Sequence, residues 1–337
     1  PLQTVTMATM LQKARKKAKK DNSIMSPQVV TTSYTSKPVS IPRSFLSFLP
    51  DPSIIEVKQI DFANSPLPQY EDLYAVVLDN VLSQSECDEL IHMAEQSAGA
   101  HNPSEPMENN GWNPAVNPPP EPVKNNGWKP AMVNAGRNHE FLALDYRNSD
   151  RIIWDNEEIV DRLWRRIMQV PEMKDYFSVM KGKKYVPVVG DGLVRRDERW
   201  VITPKGLNER QRFLKYSAGQ FFKPHCDGTY ETPDGEQRSF FTMHLYLNDS
   251  AQALGIKEPM FGFLQGKKAD GEEEMLRGGA TTFHSRDMKK RLDVDPKAGR
   301  VLIFQQKRLF HSGDDVKAGI KYTMRSDLMY EFETEDD

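Results

Sequence analysis

In "YSAGQFFKPHCDG" (216–228) a histidine and an aspartate, His225 and Asp227, stand two positions apart. On an extended strand, side chains at i and i+2 face the same way, so both can reach one point. Cys226, between them, would turn the other way into packing. An imidazole nitrogen and a carboxylate oxygen are metal donors, yet a lone His-x-Asp pair reads as readily as a polar strand end. A third donor comes from "GRVLIFQQKRLFHSGDDVKAGIKYTMRSD" (299–327), where His311 closes an apolar strand ahead of a polar turn. Lys321 follows ten residues later, at the start of another strand.

Two histidines and one carboxylate that leave the other faces of a metal open form the facial triad of non-haem Fe(II) oxygenases. Three protein ligands hold the ferrous ion, and the open positions accept a bidentate 2-oxoacid and O2. If the oxoacid is 2-oxoglutarate, its distal carboxylate needs a cation at the pocket floor, and Lys321 has the charge to serve.

Further segments repeat this arrangement in order. "RSFFTMHLYLN", "GGATTFH", "AGRVLIFQQ", "LFHSG" and "GIKYTMRSD", together with the His-x-Asp segment, resemble the prolyl 4-hydroxylase-like branch of the 2-oxoglutarate/Fe(II) dioxygenases. The resemblance covers roughly residues 210–332, and "VVLDNVLSQSECDELI" is similar to that family's helical entry segment. It implies a double-stranded β-helix (jelly-roll) core within an α+β, mainly β chain. It implies His225, Asp227 and His311 as catalytic iron ligands, and Lys321 as the residue binding 2-oxoglutarate. Tyr246 would reach the same distal carboxylate, and Tyr216 would line the pocket. Thr242 and His244 share the alternation face of Tyr246 and would also look inward. Arg325 lies four residues past Lys321 on the same strand face. It is left to replace or assist Lys321, or to hold a substrate carboxylate. The implied cofactors are Fe(II), 2-oxoglutarate and O2, with ascorbate as an optional reductant. The implied reaction is hydroxylation of an unactivated C–H with release of succinate and CO2. The sequence departs from the family in one place, a long charged insert (250–277) expected at the barrel mouth.

The elements that must position these residues follow from pattern. "YAVVL" reads as a strand, and Ser83 then offers an N-cap with Glu86 as its capping-box partner. Leu82, Cys87, Leu90, Ile91 and Ala94 supply the apolar face of that helix. "NEEIVDRLWRRIMQV" (156–170) reads as a second amphipathic helix, with Ile159, Leu163, Trp164 and Ile167 on one side. From about 185 onward short β-rich segments dominate, including "KYVPVV", "RWVITP", "RFLKYS" and "YTMRSDLMYEF". Three regions are expected: a largely structureless tail over 1–50, a helical and looped part over 51–180, and the oxygenase core over 181–337. Within the second, 101–137 is Pro/Asn-rich and contains a duplication, "NNGWNPA" (109–115) and "NNGWKPA" (125–131), that suits either a lid or a linker.

Composition narrows the partners. The chain has 337 residues, 45 basic against 48 acidic, a net charge of -3 and two cysteines. No apolar run is long enough for a membrane span, and no overall basic field draws the chain to nucleic acid. Few cysteines and no signal-peptide order suggest a cytoplasmic setting, or a nuclear one through the basic run at 13–20. Pro1 suggests either added residues ahead of a natural start such as Met7 or a trimmed chain. Of seven histidines, His92, His101, His139 and His284 read as surface or packing residues. The substrate is a small amino-acid-like molecule or a prolyl side chain of a peptide or protein partner. A jelly-roll binding protein without catalysis is the alternative from another class.

Overall fold

The computed structural model describes residues 29–31, 34–99, 126–136, 139–191, 198–257 and 274–333. The basic run, the first copy of the duplication, His101 and most of the 250–277 insert lie outside the described residues. Along the chain come strands β1 (Glu56–Gln59) and β2 (Ala75–Asp79), then helix α1 (Gln84–Ser97). Next are β3 (Arg147–Asn148), β4 (Asp150–Asp155), and helices α2 (Glu157–Ile167) and α3 (Pro171–Phe177). Strands β5 (Arg199–Leu207), β6 (Arg210–Tyr216), β7 (Phe221–His225) and β8 (Gln237–Tyr246) follow. The chain continues through β9 (Thr281–His284), β10 (Arg291–Val294), β11 (Val301–Gln305), β12 (His311–Gly313) and β13 (Lys321–Glu333).

The chain is mainly β. A large antiparallel sheet runs β1-β2-β11-β8-β13-β6-β4, with β5 also paired to β13. A smaller sheet runs β10-β9-β12-β7-β3. The large sheet is covered on both faces, so its inner strands turn packed side chains to each side. On β11, Val301 and Ile303 join the core under the helices. Leu302 and Phe304, between them, pack with Phe283 of the small sheet. Strand β8 behaves likewise: Phe241, Met243 and Leu245 face the helical layer, and Thr242, His244 and Tyr246 face the small sheet. Helices, large sheet and small sheet thus form three layers, with the candidate site between the last two.

The helical layer is built as its sequence suggests. Ser83 Oγ accepts from the Glu86 amide while the Glu86 carboxylate accepts from the Ser83 amide, completing the capping box. Glu86 also pairs with the buried Arg166 of α2 at 2.8 Å, and Arg166 donates to the carbonyls of Ser47 and Val81. These bonds satisfy a guanidinium that would otherwise cost several kcal/mol to bury. They also tie down residues 34–50, which were expected to be structureless; Phe45 and Leu46 are instead buried in the main core.

One other expectation gives way, and one of two alternatives drops out. "KYVPVV" is helical over Lys183–Tyr185 and Val186–Val189 rather than a strand. Pro187 lacks the N–H a central strand needs but fits a helix's first turn. Trp128, in the second copy of the duplication, is no lid: it is 2% exposed, tilts against Tyr322 and donates to Glu95.

One glycine fixes how α2 rests on the sheet. Gly206 has φ +69°, and a Cβ there would meet the Trp164 ring at 2.0 Å. Gly206→Ala is therefore expected to destabilise the fold by about 2–4 kcal/mol, combining backbone strain with a clash against a packed ring. Denaturant unfolding would show it as a lowered midpoint; an unchanged midpoint would mean that α2 can shift freely.

Candidate metal centre

His225 ends β7 and His311 begins β12, and the two are directly opposed in register across the small sheet. Asp227 lies just past the strand end, so a turn, rather than simple strand alternation, brings its carboxylate round. His225 Nδ1 lies 2.8 Å from the Lys223 carbonyl, and His311 Nδ1 lies 3.1 Å from the Leu309 carbonyl. A carbonyl only accepts, so both Nδ1 atoms carry the hydrogen and both Nε2 atoms present lone pairs. Those lone pairs meet Asp227: His225 Nε2 is 3.6 Å from Oδ1 and His311 Nε2 is 3.8 Å from Oδ2. One donor atom from each of the three residues falls within 4.8 Å of the others.

The surroundings hold this geometry. Phe222 stacks on the His225 ring at 3.9 Å, and Phe304 meets His311 edge-on at 4.7 Å. Thr242 donates to Asp227 Oδ2 at 2.7 Å and Arg325 approaches Oδ1 at 3.3 Å. Burial opposes ionisation of Asp227, but Arg325 and the two histidines overcome it, holding the carboxyl well below its usual range. Burial and the neighbouring His225 push His311 down to about 4. At neutral pH, His311 is therefore uncharged beside an ionised carboxylate, the states a metal requires.

The cavity beside these residues spans about 450 Å³, part of it open to solvent, and is lined from both sheets. Lys321 closes its far side, 1% exposed, with its ammonium 5.2 Å from the Tyr216 ring and 5.7 Å from the Tyr246 ring. Among the described residues it has no hydrogen bond or ion pair, and burial, opposed only by Asp314, lowers it to about 7. An ammonium desolvated without a carboxylate is costly unless a ligand supplies one. His244 adds a second unsatisfied group. Its Nε2 is buried without a partner at the cavity wall, and burial with Lys321 and Arg325 nearby keeps the ring neutral. Both features suit a bound dicarboxylate.

The other sequence candidates take different places around this, and Tyr246 is not turned to the co-substrate pocket as expected. Tyr216 lines the cavity. Tyr246 stands behind the wall, its hydroxyl donated to Thr281 Oγ1 at 2.7 Å. Thr242 serves Asp227, and Arg325 lies at the aspartate end of the cavity rather than beside Lys321. A third cation, Arg147, is not singled out by its sequence context. It reaches the cavity from β3, a two-residue strand paired with β7 through Arg147 and Phe222.

Residues 211–326 match the 2OG-Fe(II) oxygenase superfamily. That segment runs from β6 into β13 and contains His225, Asp227, His311 and Lys321; the chain carries a domain of this superfamily and is an oxidoreductase of the dioxygenase class. The family implies Fe(II) and 2-oxoglutarate. No curated protein matches the chain. Among solved structures, a prolyl-4-hydroxylase from Pseudomonas putida is 14% identical, with TM-score 0.38, covering 80% of this chain and 95% of its own. The viral collagen prolyl hydroxylase of Paramecium Bursaria Chlorella virus-1, solved with 2OG, is 15% identical at TM-score 0.37, covering 76% and 96%. A prolyl hydroxylase from Trichoplax adhaerens, in complex with a hypoxia inducible factor peptide fragment, is 14% identical at TM-score 0.39, covering 80% and 89%. No helix of the described residues is long and apolar enough to cross a membrane.

Proposed function

We infer that the chain is a 2-oxoglutarate- and Fe(II)-dependent hydroxylase, acting on an unactivated C–H and releasing succinate and CO2. His225, Asp227 and His311 hold the iron, on a double-stranded β-helix core formed by the two facing sheets. The observation that carries this reading is a buried Lys321, without a hydrogen bond or ion pair to its ammonium among the described residues, in the same cavity as a His-Asp-His cluster with converging lone pairs. A metal site alone would leave that ammonium unexplained, and an anion pocket alone would leave the neutral His311 beside Asp227 unexplained.

When bound, iron and 2-oxoglutarate supply the oxidising power. The chain's own residues do the positioning. The Lys223 and Leu309 carbonyls fix the imidazole tautomers, and Thr242 and Arg325 fix the carboxylate. Lys321 takes the distal carboxylate of the co-substrate, with Tyr216 beside it. Phe222 and Phe304 exclude water from the rings of both histidines.

Thr242→Val keeps the side chain's shape and removes its bond to Asp227. Arg325 alone then orients the carboxylate, and metal affinity is expected to fall about 10–100-fold. An anaerobic Fe(II) titration reads this; an unchanged affinity would mean that Arg325 suffices. The function itself is tested by succinate formation from 2-oxoglutarate that requires both added Fe(II) and O2. Succinate formed equally well without iron would exclude the reading.

A further inference from the structure

Three cations, Arg147, Lys321 and Arg325, line the cavity against a single carboxylate, Asp227. Fe(II) and the dianion of 2-oxoglutarate cancel one another in charge, so a loaded site would keep this positive excess. Lys321 accounts for one cation. The other two lie elsewhere: Arg325 Nη2 is 3.3 Å from Asp227, and Arg147 sits with its guanidinium carbon 4.7 Å from the Phe222 ring that in turn stacks on His225. They therefore flank the metal ligands from two sides.

Neither guanidinium is satisfied. Arg325 uses Nη2 for Asp227, Asp327 and Thr242, but its Nε is buried without a partner. The Nε of Arg147 is likewise buried and unpartnered, and no ion pair reaches this side chain among the described residues. Like charges also crowd here, since Arg325 faces Arg212 directly in the β6–β13 register. Asp327 bridges those two, at 3.2 Å from each, but leaves Arg147 uncompensated. Two half-buried guanidinium groups at one cavity without enough anions are stabilised by an incoming carboxylate, for which the planar fork is well shaped.

We propose that Arg147 and Arg325 form a second anion subsite, separate from Lys321, that binds the carboxylate of a small substrate such as a free amino acid. This rests on the hydroxylase reading and names its substrate class. Because both arginines border the metal ligands, the carbon oxidised lies within a few bonds of that carboxylate. A peptide whose prolyl residue is internal offers no such group at that position.

The test uses the whole protein under nitrogen with Fe(II) and 2-oxoglutarate. Its visible absorption band first reports whether the loaded site forms. The twenty proteinogenic amino acids, their carboxamides, and a terminally blocked prolyl tripeptide are then titrated, with calorimetry and the change in the band as readouts. At least one free acid is expected to bind, with its amide weaker by about 30-fold, the loss of one charge-assisted contact pair. In Arg147→Gln that preference should fall to within about threefold while the iron–oxoacid band stays as in the parent. Arg325→Gln is less diagnostic, because it also releases Asp227. A parent protein with a band, but with amides binding as well as acids, no acid binding, or the blocked peptide preferred, overturns this proposal and leaves the hydroxylase reading standing. Absence of the band in the parent overturns that reading, and this proposal with it.

Discussion

His311→Ala is expected to remove metal binding and turnover together while leaving the protein folded. His311 is one of three donors, and its lone pair is aimed by the Leu309 carbonyl and by Phe304. Its loss leaves one imidazole and one carboxylate, too few to hold a ferrous ion in an open site. Outer-shell losses alone cost about 10–100-fold in affinity, so loss of a ligand should exceed about 100-fold. The fold should survive because the ring removed is neutral, titrating at about 4, and so leaves no buried charge unpaired. The cost to folding is a cavity among aromatic side chains, of order 1–3 kcal/mol. Anaerobic Fe(II) titration beside a thermal melt separates the two effects. A folded variant that binds iron as the parent does would remove His311 from the site.

Lys321→Ala is expected to do the reverse, sparing iron and losing the co-substrate. A buried charge-assisted contact to a carboxylate contributes about 2–4 kcal/mol, so affinity for 2-oxoglutarate should fall by about 30- to 1000-fold. The empty protein should be no less stable, and at neutral pH more so. Burial lowers the lysine from 10.5 to about 7, so the folded state resists protonation that the unfolded state accepts. That penalty is fully present below pH 7 and fades as pH rises towards the unfolded value. The same titration gives a pH signature to binding. Above pH 7 the free site must take up a proton to receive the carboxylate, so affinity in the parent should weaken by about tenfold per pH unit. Lys321→Arg keeps its charge and should flatten that slope. If Lys321→Ala binds 2-oxoglutarate normally while Arg325→Ala does not, the anchor is Arg325.

Legibility tracked the distance over which a residue's placement is decided. The Ser83–Glu86 capping box and the Thr242–His244 alternation are local, and both stand in the structure as their sequence suggests. His225, Asp227, His311 and Lys321 were readable as a set because three sit at strand ends and Asp227 in the turn just past one, with the turns written in sequence. That His225 and His311 face one another is a matter of register, which no single segment declares. Arg147 was unreadable for the same reason. It occupies a two-residue strand without periodicity, and only its pairing with Phe222 carries it to the cavity. "KYVPVV" was misread, and Trp128 left open between lid and linker, because a short apolar or aromatic stretch says little about what will cover it. Tertiary packing decided both, with Tyr322 and Glu95 receiving the tryptophan.

The most direct measurement is visible absorption under nitrogen, with Fe(II) and 2-oxoglutarate added to the parent protein and to His225→Ala. The expected result is a charge-transfer band in the parent that needs both additions and is missing from the variant. A well-folded parent that shows no band, or a variant that shows the same one, would contradict an iron–oxoacid site at His225, Asp227 and His311.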